Sequence, residues 1–229
     1  MKIYNITPAI ILTSFMLTLT TACTHAGEIN TTEAETSTQA ETSQLSTEVV
    51  AGLKQMYEEE KLASDVYKNL YDKWQIQAFS NIHSTELRHQ QAVKELLDTY
   101  GIAVDEKLPI GEFKDENLQK VYDDLMATGM QSEQAALMVG AYVEELDIED
   151  LNRLLTFDNP DDVRHTYEWL NMGSRSHLRA FVHNMNNRGI DYVPQLLDEQ
   201  EYLVIINSEH ERGGRKDNGF GHKRGHGNS

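Results

Sequence analysis

The sequence predicts an all-α fold, a four-helix bundle with one long crossover and a short extra helix at its C-terminal end. From residue 49 onward, apolar residues recur at spacings of three and four, the pattern of a helix that buries one face. No segment shows the sustained alternation of a half-buried strand. Short connections separate the first two and the last two long segments, whereas a long segment joins the two pairs.

The first two predicted helices each carry polar residues on an otherwise apolar face. Glu60 interrupts the stripe of the first helix, and Glu86 and His89 interrupt that of the second, which ends at Gly101. The apolar residues are Leu53, Met56, Tyr57, Ala63, Tyr67, Leu70, Tyr71 and Trp74 in the first helix, and Phe79, Ile82, Val93, Leu96 and Tyr100 in the second.

The crossover spans residues 102–131, contains Pro109 and Gly111, and is predicted to hold a short helix over 118–127. Ser132 then supplies the N-cap of the third long helix.

That third helix is expected to end near Thr156, and the fourth to open at Asp158-Asn159-Pro160, with the proline in the first turn, and to end near Asn187. A last helix near residues 198–207 is expected to pack outside the bundle, within a domain over 48–208. Two pairs joined by one long crossover form the ferritin-type variant of the bundle.

The N-terminal region predicts export and lipid attachment. Residues 1–22 are expected to form a lipoprotein signal peptide, since an uncharged run from Pro8 to Leu19 follows Lys2. Cys23, the only cysteine, would be acylated, with a free core cysteine as the alternative. Residues 23–47 read as a disordered tether. We expect a cell-envelope lipoprotein, on the outer membrane or periplasmic face of a Gram-negative cell, and otherwise a secreted protein.

Charge and composition exclude one class of partner. The formal net charge of −17 argues against nucleic acid, which requires a basic face. Residues 209–229 are rich in Gly, Arg, Lys and His and are expected to be disordered. Their histidines His210, His222 and His226 leave open a third hypothesis, weak metal capture in the tail.

A metal site is predicted on the inner faces of the long helices, at Glu60, Glu86, His89, Glu145 and His177. Glu86 and His89 lie three residues apart and so share one face of their helix. A carboxylate on an apolar face is costly to bury without a partner. Oxygen and imidazole donors suit iron, and manganese is also compatible with them.

Several neighbouring residues are alternatives to this set. Glu144 is less favoured than Glu145, because Glu145 shares a helical face with Met138, Tyr142 and Ile148. His83, one turn before Glu86, is a substitute ligand for which a structural role is favoured.

The adjacent acidic residues of the first helix have a simpler interpretation. Glu58 and Glu59 flank the apolar stripe and are expected at the surface.

Six sequence segments resemble a ferritin-like family called domain of unknown function 2202, across about residues 53–210. They are EEEKLASDVY from Glu58, FSNI from Phe79, ELRH from Glu86, EELDIEDL from Glu144, GSRSHLRAF from Gly173 and YVPQ from Tyr192. The run from Glu60 to Tyr67 is also similar to the first helix of rubrerythrin. The resemblance implies that Glu60 is a terminal iron ligand, Glu86 a bridging carboxylate and His89 a terminal ligand on the same ion.

Ser174 departs from the di-iron pattern, since it stands where a second Glu-x-x-His motif would supply a bridging glutamate. Glu144, Asp147 or water would then replace the bridge, or only one ion would be held well.

Two functions follow as hypotheses. The first is an oxidoreductase of ferroxidase or peroxide-reducing type, which would use one or two iron ions with oxygen or peroxide. Tyr57, Tyr67 and Tyr142 could relay electrons there, although a role as core aromatics is favoured. The second is a non-catalytic metal-binding or interaction module in the envelope. A homodimer remains open.

Overall fold

The computed structural model describes residues 45–104 and 108–208, and this part of the chain contains six helices and no strand. The helices are α1 (Thr47–Trp74), α2 (Gln77–Thr99), α3 (Glu116–Gly129), α4 (Glu133–Leu154), α5 (Asp161–Asn186) and α6 (Glu199–Asn207). The predicted signal peptide, Cys23, most of the tether and the histidine-rich tail lie outside the described residues.

Side-chain caps place the beginnings of most helices where the sequence predicts them. The Ser132 side chain accepts a hydrogen bond from the Ala135 N–H at 3.0 Å, which confirms it as the N-cap of α4. Asp115 and Asp198 cap α3 and α6 in the same way. Two of the described helices begin without a side-chain cap, α2 at Ile76 and α5 at Pro160, and Pro160 is the N-cap residue of its helix, not the predicted first-turn residue.

The helices pack as two pairs. α1 and α2, joined by two residues, lie against each other along most of their length, as do α4 and α5. α2 also contacts α5, and α1 contacts α4, so the four long helices enclose a common interior. α6 packs on the outside of α5, as expected. In the described ranges, no helix has the length and apolar character needed to cross a membrane.

The crossover is fastened to α1 by a buried lysine. The Lys61 ammonium pairs with Asp65 at 2.5 Å and donates to the carbonyl oxygens of Pro109 and Glu112, each at 3.2 Å. Asp65 also accepts from the Gly111 N–H at 2.9 Å. These bonds hold residues 109–112 against the first helix and give partners to backbone groups of the crossover itself.

The apolar core consists of two clusters with a polar layer between them. One cluster is built around Tyr67, Phe79 and Phe181, and the other around Leu53, Leu97, Leu151 and Tyr167. Several buried residues of the four long helices are nevertheless polar, among them carboxylates, two histidines and Ser174. The interior therefore buries charge at mid-height, where a four-helix bundle ordinarily continues its apolar seam.

Candidate metal centre

Five side chains from four helices meet in this polar layer. The exposed fractions are 0% for Glu60 and Glu144, 1% for Glu86 and His89, and 8% for His177. Of the sequence-predicted ligands, the structure thus brings together Glu60, Glu86, His89 and His177, with Glu144 in place of Glu145.

Glu86 is the centre of the arrangement because both histidines approach it. His89 Nδ1 lies 2.7 Å from Glu86 Oε2 and 3.4 Å from Glu60 Oε2. His177 Nδ1 lies 2.7 Å from Glu86 Oε1 and 3.5 Å from Glu144 Oε2. Two triads result, Glu60/Glu86/His89 and Glu86/Glu144/His177, and in each the candidate ligand atoms lie within 4.8 Å of one another.

The converging atoms make no hydrogen bond of good geometry among the described residues, although both histidines lie within ion-pair distance of Glu86. They are both carboxylate oxygens of Glu60, Glu86 Oε1, Glu144 Oε2 and the Nδ1 atoms of His89 and His177. Buried polar atoms without well-formed hydrogen bonds are rare in native proteins, and their convergence indicates a ligand that they share. Oxygen and imidazole donors in this geometry fit a divalent metal ion such as iron or manganese.

Without a metal ion, the raised pKa values of several side chains in the centre favour their protonated forms. Burial raises the pKa of Glu60 to about 8 and that of Glu144 to about 7, although the neighbouring histidines oppose the shift. Burial lowers the pKa of His89, but Glu60 and Glu86 outweigh it and raise that pKa to about 10. Burial likewise opposes ionisation of Glu86, yet His177 and His89 bring its pKa well below the usual range.

The preference for Glu145 over Glu144 is corrected by the structure. Glu145 Oε1 accepts from the Tyr192 hydroxyl at 2.5 Å, and its Oε2 accepts from three backbone N–H groups of residues 195–197. Glu144 instead faces the centre and is positioned by Tyr67, whose hydroxyl donates to Glu144 Oε1 at 2.6 Å. Residues 139–145 of α4 are all buried, so an apolar face could not distinguish the two glutamates.

Two further carboxylates lie beside the centre. Asp147, named from the sequence only as a replacement bridge, is 1% exposed, and burial followed by the charges of Glu60 and Glu144 raises its pKa well above the usual range. Glu59 is 8% exposed, so its expected surface position is wrong. α4 covers this side of α1, which a periodicity argument on α1 alone could not reveal.

His83 and Ser174 both make hydrogen bonds within the protein and belong to neither triad. His83 Nδ1 lies 2.9 Å from the Ser64 carbonyl oxygen and 3.1 Å from the Ser64 hydroxyl, and His83 belongs to neither triad. Ser174 is 1% exposed, and its hydroxyl donates to the Leu170 carbonyl oxygen at 3.2 Å. Position 174 therefore supplies no bridging carboxylate.

The ring of His89 is held by α5. A Cβ at Gly173 would lie 2.5 Å from His89 Cε1, so only glycine leaves room for the imidazole. The Trp169 ring meets the His89 ring edge-on, with centroids 4.7 Å apart. Sequence periodicity gave no signal for either contact, since both depend on how α2 and α5 pack.

Comparisons with other proteins place the chain in a family. Residues 50–209 match the family described as "Uncharacterized protein domain (DUF2202)". The uncharacterized protein MJ0754 of Methanocaldococcus jannaschii is 45% identical over 170 residues, covering 74% of this chain and 92% of the relative. The crystal structure of hypothetical protein MJ0754 from Methanococcus jannaschii DSM 2661 aligns with a TM-score of 0.71, 45% identity and coverage of 73% of this chain and 96% of that chain. The chain therefore belongs to the DUF2202 family.

Proposed function

We propose that the protein is a ferritin-like, iron-dependent oxidoreductase of ferroxidase or peroxide-reducing type. The observation that carries the proposal is the pair of buried triads that share Glu86, whose converging atoms make no well-formed hydrogen bond within the described part of the chain. The two packed helix pairs and the long connection between them support the ferritin-like assignment.

Each residue has a defined task in this proposal. Glu60 and His89 would hold one ion, Glu144 and His177 the other, and Glu86 would contact both. Asp147 is buried near enough to Glu60 and Glu144 for their charges to raise its pKa, and is suited to replace the bridge that Ser174 does not provide. Ferrous iron held by these residues would supply electrons to dioxygen or peroxide.

The surrounding residues exclude water and position the ligands. The apolar clusters on either side seal the polar layer from solvent. Tyr67 holds Glu144 through its hydroxyl, while Gly173 and Trp169 fix the plane of His89. Such support keeps ligand atoms in place before the ion arrives.

Anaerobic titration of ferrous iron into the tag-free metal-free protein tests the proposal. Calorimetry should show binding in the wild type and its loss in Glu86→Gln, and stopped-flow absorbance should show ferrous oxidation by oxygen or peroxide only in the wild type. Glu149→Gln removes a carboxylate from an exposed position on α4 and should behave as wild type. Iron binding that survives in Glu86→Gln would contradict the proposal, and a comparison with manganese identifies the preferred metal.

A second candidate function is a non-catalytic metal-binding or interaction module, attached to the cell envelope through an acylated Cys23. The absence of a carboxylate at Ser174 favours it, since a site with one well-held ion is poorly suited to two-electron chemistry. Iron binding without oxidation by oxygen or peroxide would support this alternative. Membrane release on Cys23→Ser, followed by fractionation, tests the anchor separately.

A further inference from the structure

Trp169 is an aromatic neighbour of the metal centre that also reaches the protein surface. Its ring meets the His89 ring edge-on, with centroids 4.7 Å apart and planes inclined at 83°. Trp169 is 38% exposed, whereas His89 is 1% exposed. Every other Phe, Tyr or Trp residue of the described ranges is buried or half-buried. A single side chain therefore joins solvent to a candidate metal ligand.

The ring contacts continue from His89 to the second triad. The His89 and His177 rings are stacked, with centroids 5.8 Å apart and planes inclined at 27°. Edge-to-face and offset-stacked contacts are the arrangements that aromatic rings prefer. Because His89 belongs to one triad and His177 to the other, the rings of Trp169, His89 and His177 lead from solvent to both candidate ion positions.

The close approach of α5 to α2 keeps the indole and the imidazole in contact. Gly173 lies one turn after Trp169 in α5, and a Cβ at this position would lie 2.5 Å from His89 Cε1. With no side chain at residue 173, neither ring is pushed away from the other. The contact thus results from the same packing that places His89 in its triad.

The tyrosines considered from the sequence as electron relays are too deeply buried to meet a donor in solution. Tyr67 donates to Glu144 at 2.6 Å but is 0% exposed. Tyr57 is 8% exposed and Tyr142 is 3% exposed. Electron tunnelling slows exponentially as the gap between donor and acceptor widens, so a donor in solution requires a group that it can touch. Trp169 is such a group.

We propose that Trp169 is the site at which an external one-electron donor reduces the metal centre. This inference rests on the proposed function and assigns to it a peroxide-reducing cycle. Hydrogen peroxide takes one electron from each of two ferrous ions, its O–O bond breaks, and two protons from solvent complete two water molecules. Two donor molecules, each in contact with the exposed indole, then return one electron to each ferric ion through the contacting rings.

The two tryptophans of the chain give a test that does not depend on turnover. Trp74 lies about four turns beyond Glu60 in α1, or roughly 20 Å along the helix. Trp74→Phe leaves Trp169 as the only indole, and Trp169→Phe leaves Trp74. Cobalt(II), a stand-in for ferrous iron, should quench the fluorescence severalfold more strongly in Trp74→Phe than in Trp169→Phe. Equal quenching in the two variants would contradict the contact between Trp169 and the centre.

Reduction kinetics test the path itself. Iron-loaded, air-oxidised protein is mixed anaerobically with the methyl viologen radical cation, a one-electron donor whose absorbance disappears as it is oxidised. Trp169→Leu should be reduced severalfold more slowly than wild type, and Trp169→Tyr should recover part of the rate because it restores an aromatic ring. Trp74→Leu removes the other indole and should be reduced at the wild-type rate.

A comparison with the oxidation rate separates electron entry from support of the His89 ring. Loss of support would slow ferrous oxidation by peroxide and ferric reduction in equal proportion, whereas loss of the entry point slows reduction severalfold more than oxidation. Equal effects on the two rates, or a wild-type reduction rate in Trp169→Leu, would overturn the inference and leave the proposed function intact. A wild type that binds no iron would contradict the proposed function and, with it, the electron entry.

Discussion

At the scale of single residues, Glu144 and Glu145 show how one helix gives neighbouring, chemically identical side chains opposite tasks. Glu144 presents an oxygen without a hydrogen bond to the centre, whereas both oxygens of Glu145 are saturated by Tyr192 and residues 195–197. A carboxylate oxygen without a hydrogen bond can bind a metal ion. A carboxylate whose two oxygens accept hydrogen bonds instead anchors the backbone groups that donate them.

This division predicts different outcomes for two matched variants. Glu144→Gln should weaken metal binding with little loss of fold, while Glu145→Gln should retain metal binding and lower the free energy of unfolding by about 1 to 3 kcal/mol, because it replaces a charged acceptor of four hydrogen bonds. Calorimetric titration and urea denaturation measure the two effects. Loss of metal binding in Glu145→Gln alone would contradict the assignment.

Ser174 is the residue on which the number of bound ions depends. Wild-type protein should bind one iron tightly and a second more weakly, and Ser174→Glu should tighten the second, since residue 174 lies one turn before His177 on the inner face. Mössbauer spectra of the air-oxidised protein should then change from an isolated ferric ion toward a coupled pair. Two equally tight, coupled ions already present in the wild type would refute this expectation.

Part of the candidate site could be predicted from the sequence. Glu60, Glu86, His89 and His177 interrupt apolar faces of amphipathic helices, so periodicity alone identifies them. α4 gives no such contrast because it is buried on almost all sides around Glu144. The burial of Glu59 and the Gly173 contact with His89 arise from packing between helices, which a single sequence does not encode as a pattern.

At the scale of elements, the ends of the helices could be predicted from the local sequence more accurately than the residues of the site. α4 and α5 end within two residues of the expected positions, and the short helix of the crossover extends the predicted 118–127 by two residues at each end. Pro160 differs from its predicted position in the first turn of the helix. Its ψ of 155° is extended, so Pro160 is the residue directly before the first helical residue. That conformation is also the one expected of a helix N-cap.

The crossover depends on Lys61, and a matched pair of variants tests this. Lys61→Met should lower the free energy of unfolding by about 3 kcal/mol, because it leaves Asp65 buried without its cation. Lys68→Met breaks an exposed pair with Asp72 of the same spacing and should cost about 0.5 kcal/mol. Urea denaturation measures both, and hydrogen exchange should rise at residues 109–112 only in Lys61→Met. Equal losses in the two variants would contradict a fastening role.

At the scale of the whole molecule, the polar layer makes stability depend on pH and on metal. Without metal, Glu60 and Glu144 have pKa values of about 8 and about 7, against 4.5 for an ordinary glutamate, and His89 has a pKa of about 10 against 6.5. From about pH 5 to pH 8 the folded state therefore holds more protons than the unfolded state. Glu86 does not alter this trend, because its pKa lies below that window.

The metal-free protein should accordingly lose stability as pH rises through this window, by roughly 3 kcal/mol per pH unit, since the three raised pKa values together give the folded state about two extra protons. Metal binding displaces the same protons, so affinity for ferrous iron should rise over the same range and the stabilisation by metal should grow with it. Urea denaturation at pH 5.5 and pH 8 with chelator, and again with iron under anaerobic conditions, gives both slopes. A metal-free protein that becomes more stable toward pH 8 would contradict the protonation states assigned to the centre.

The hydrogen bonds that residues 192–197 donate to Glu145 affect the order in which the chain can fold during synthesis. A ribosome delivers α4 about fifty residues before the segment that donates hydrogen bonds to Glu145, so the nascent bundle cannot bury this carboxylate with its partners until residues 192–197 emerge. A chain halted near residue 190 should hence accumulate as a collapsed intermediate that holds on to chaperones, and release should coincide with the arrival of Tyr192.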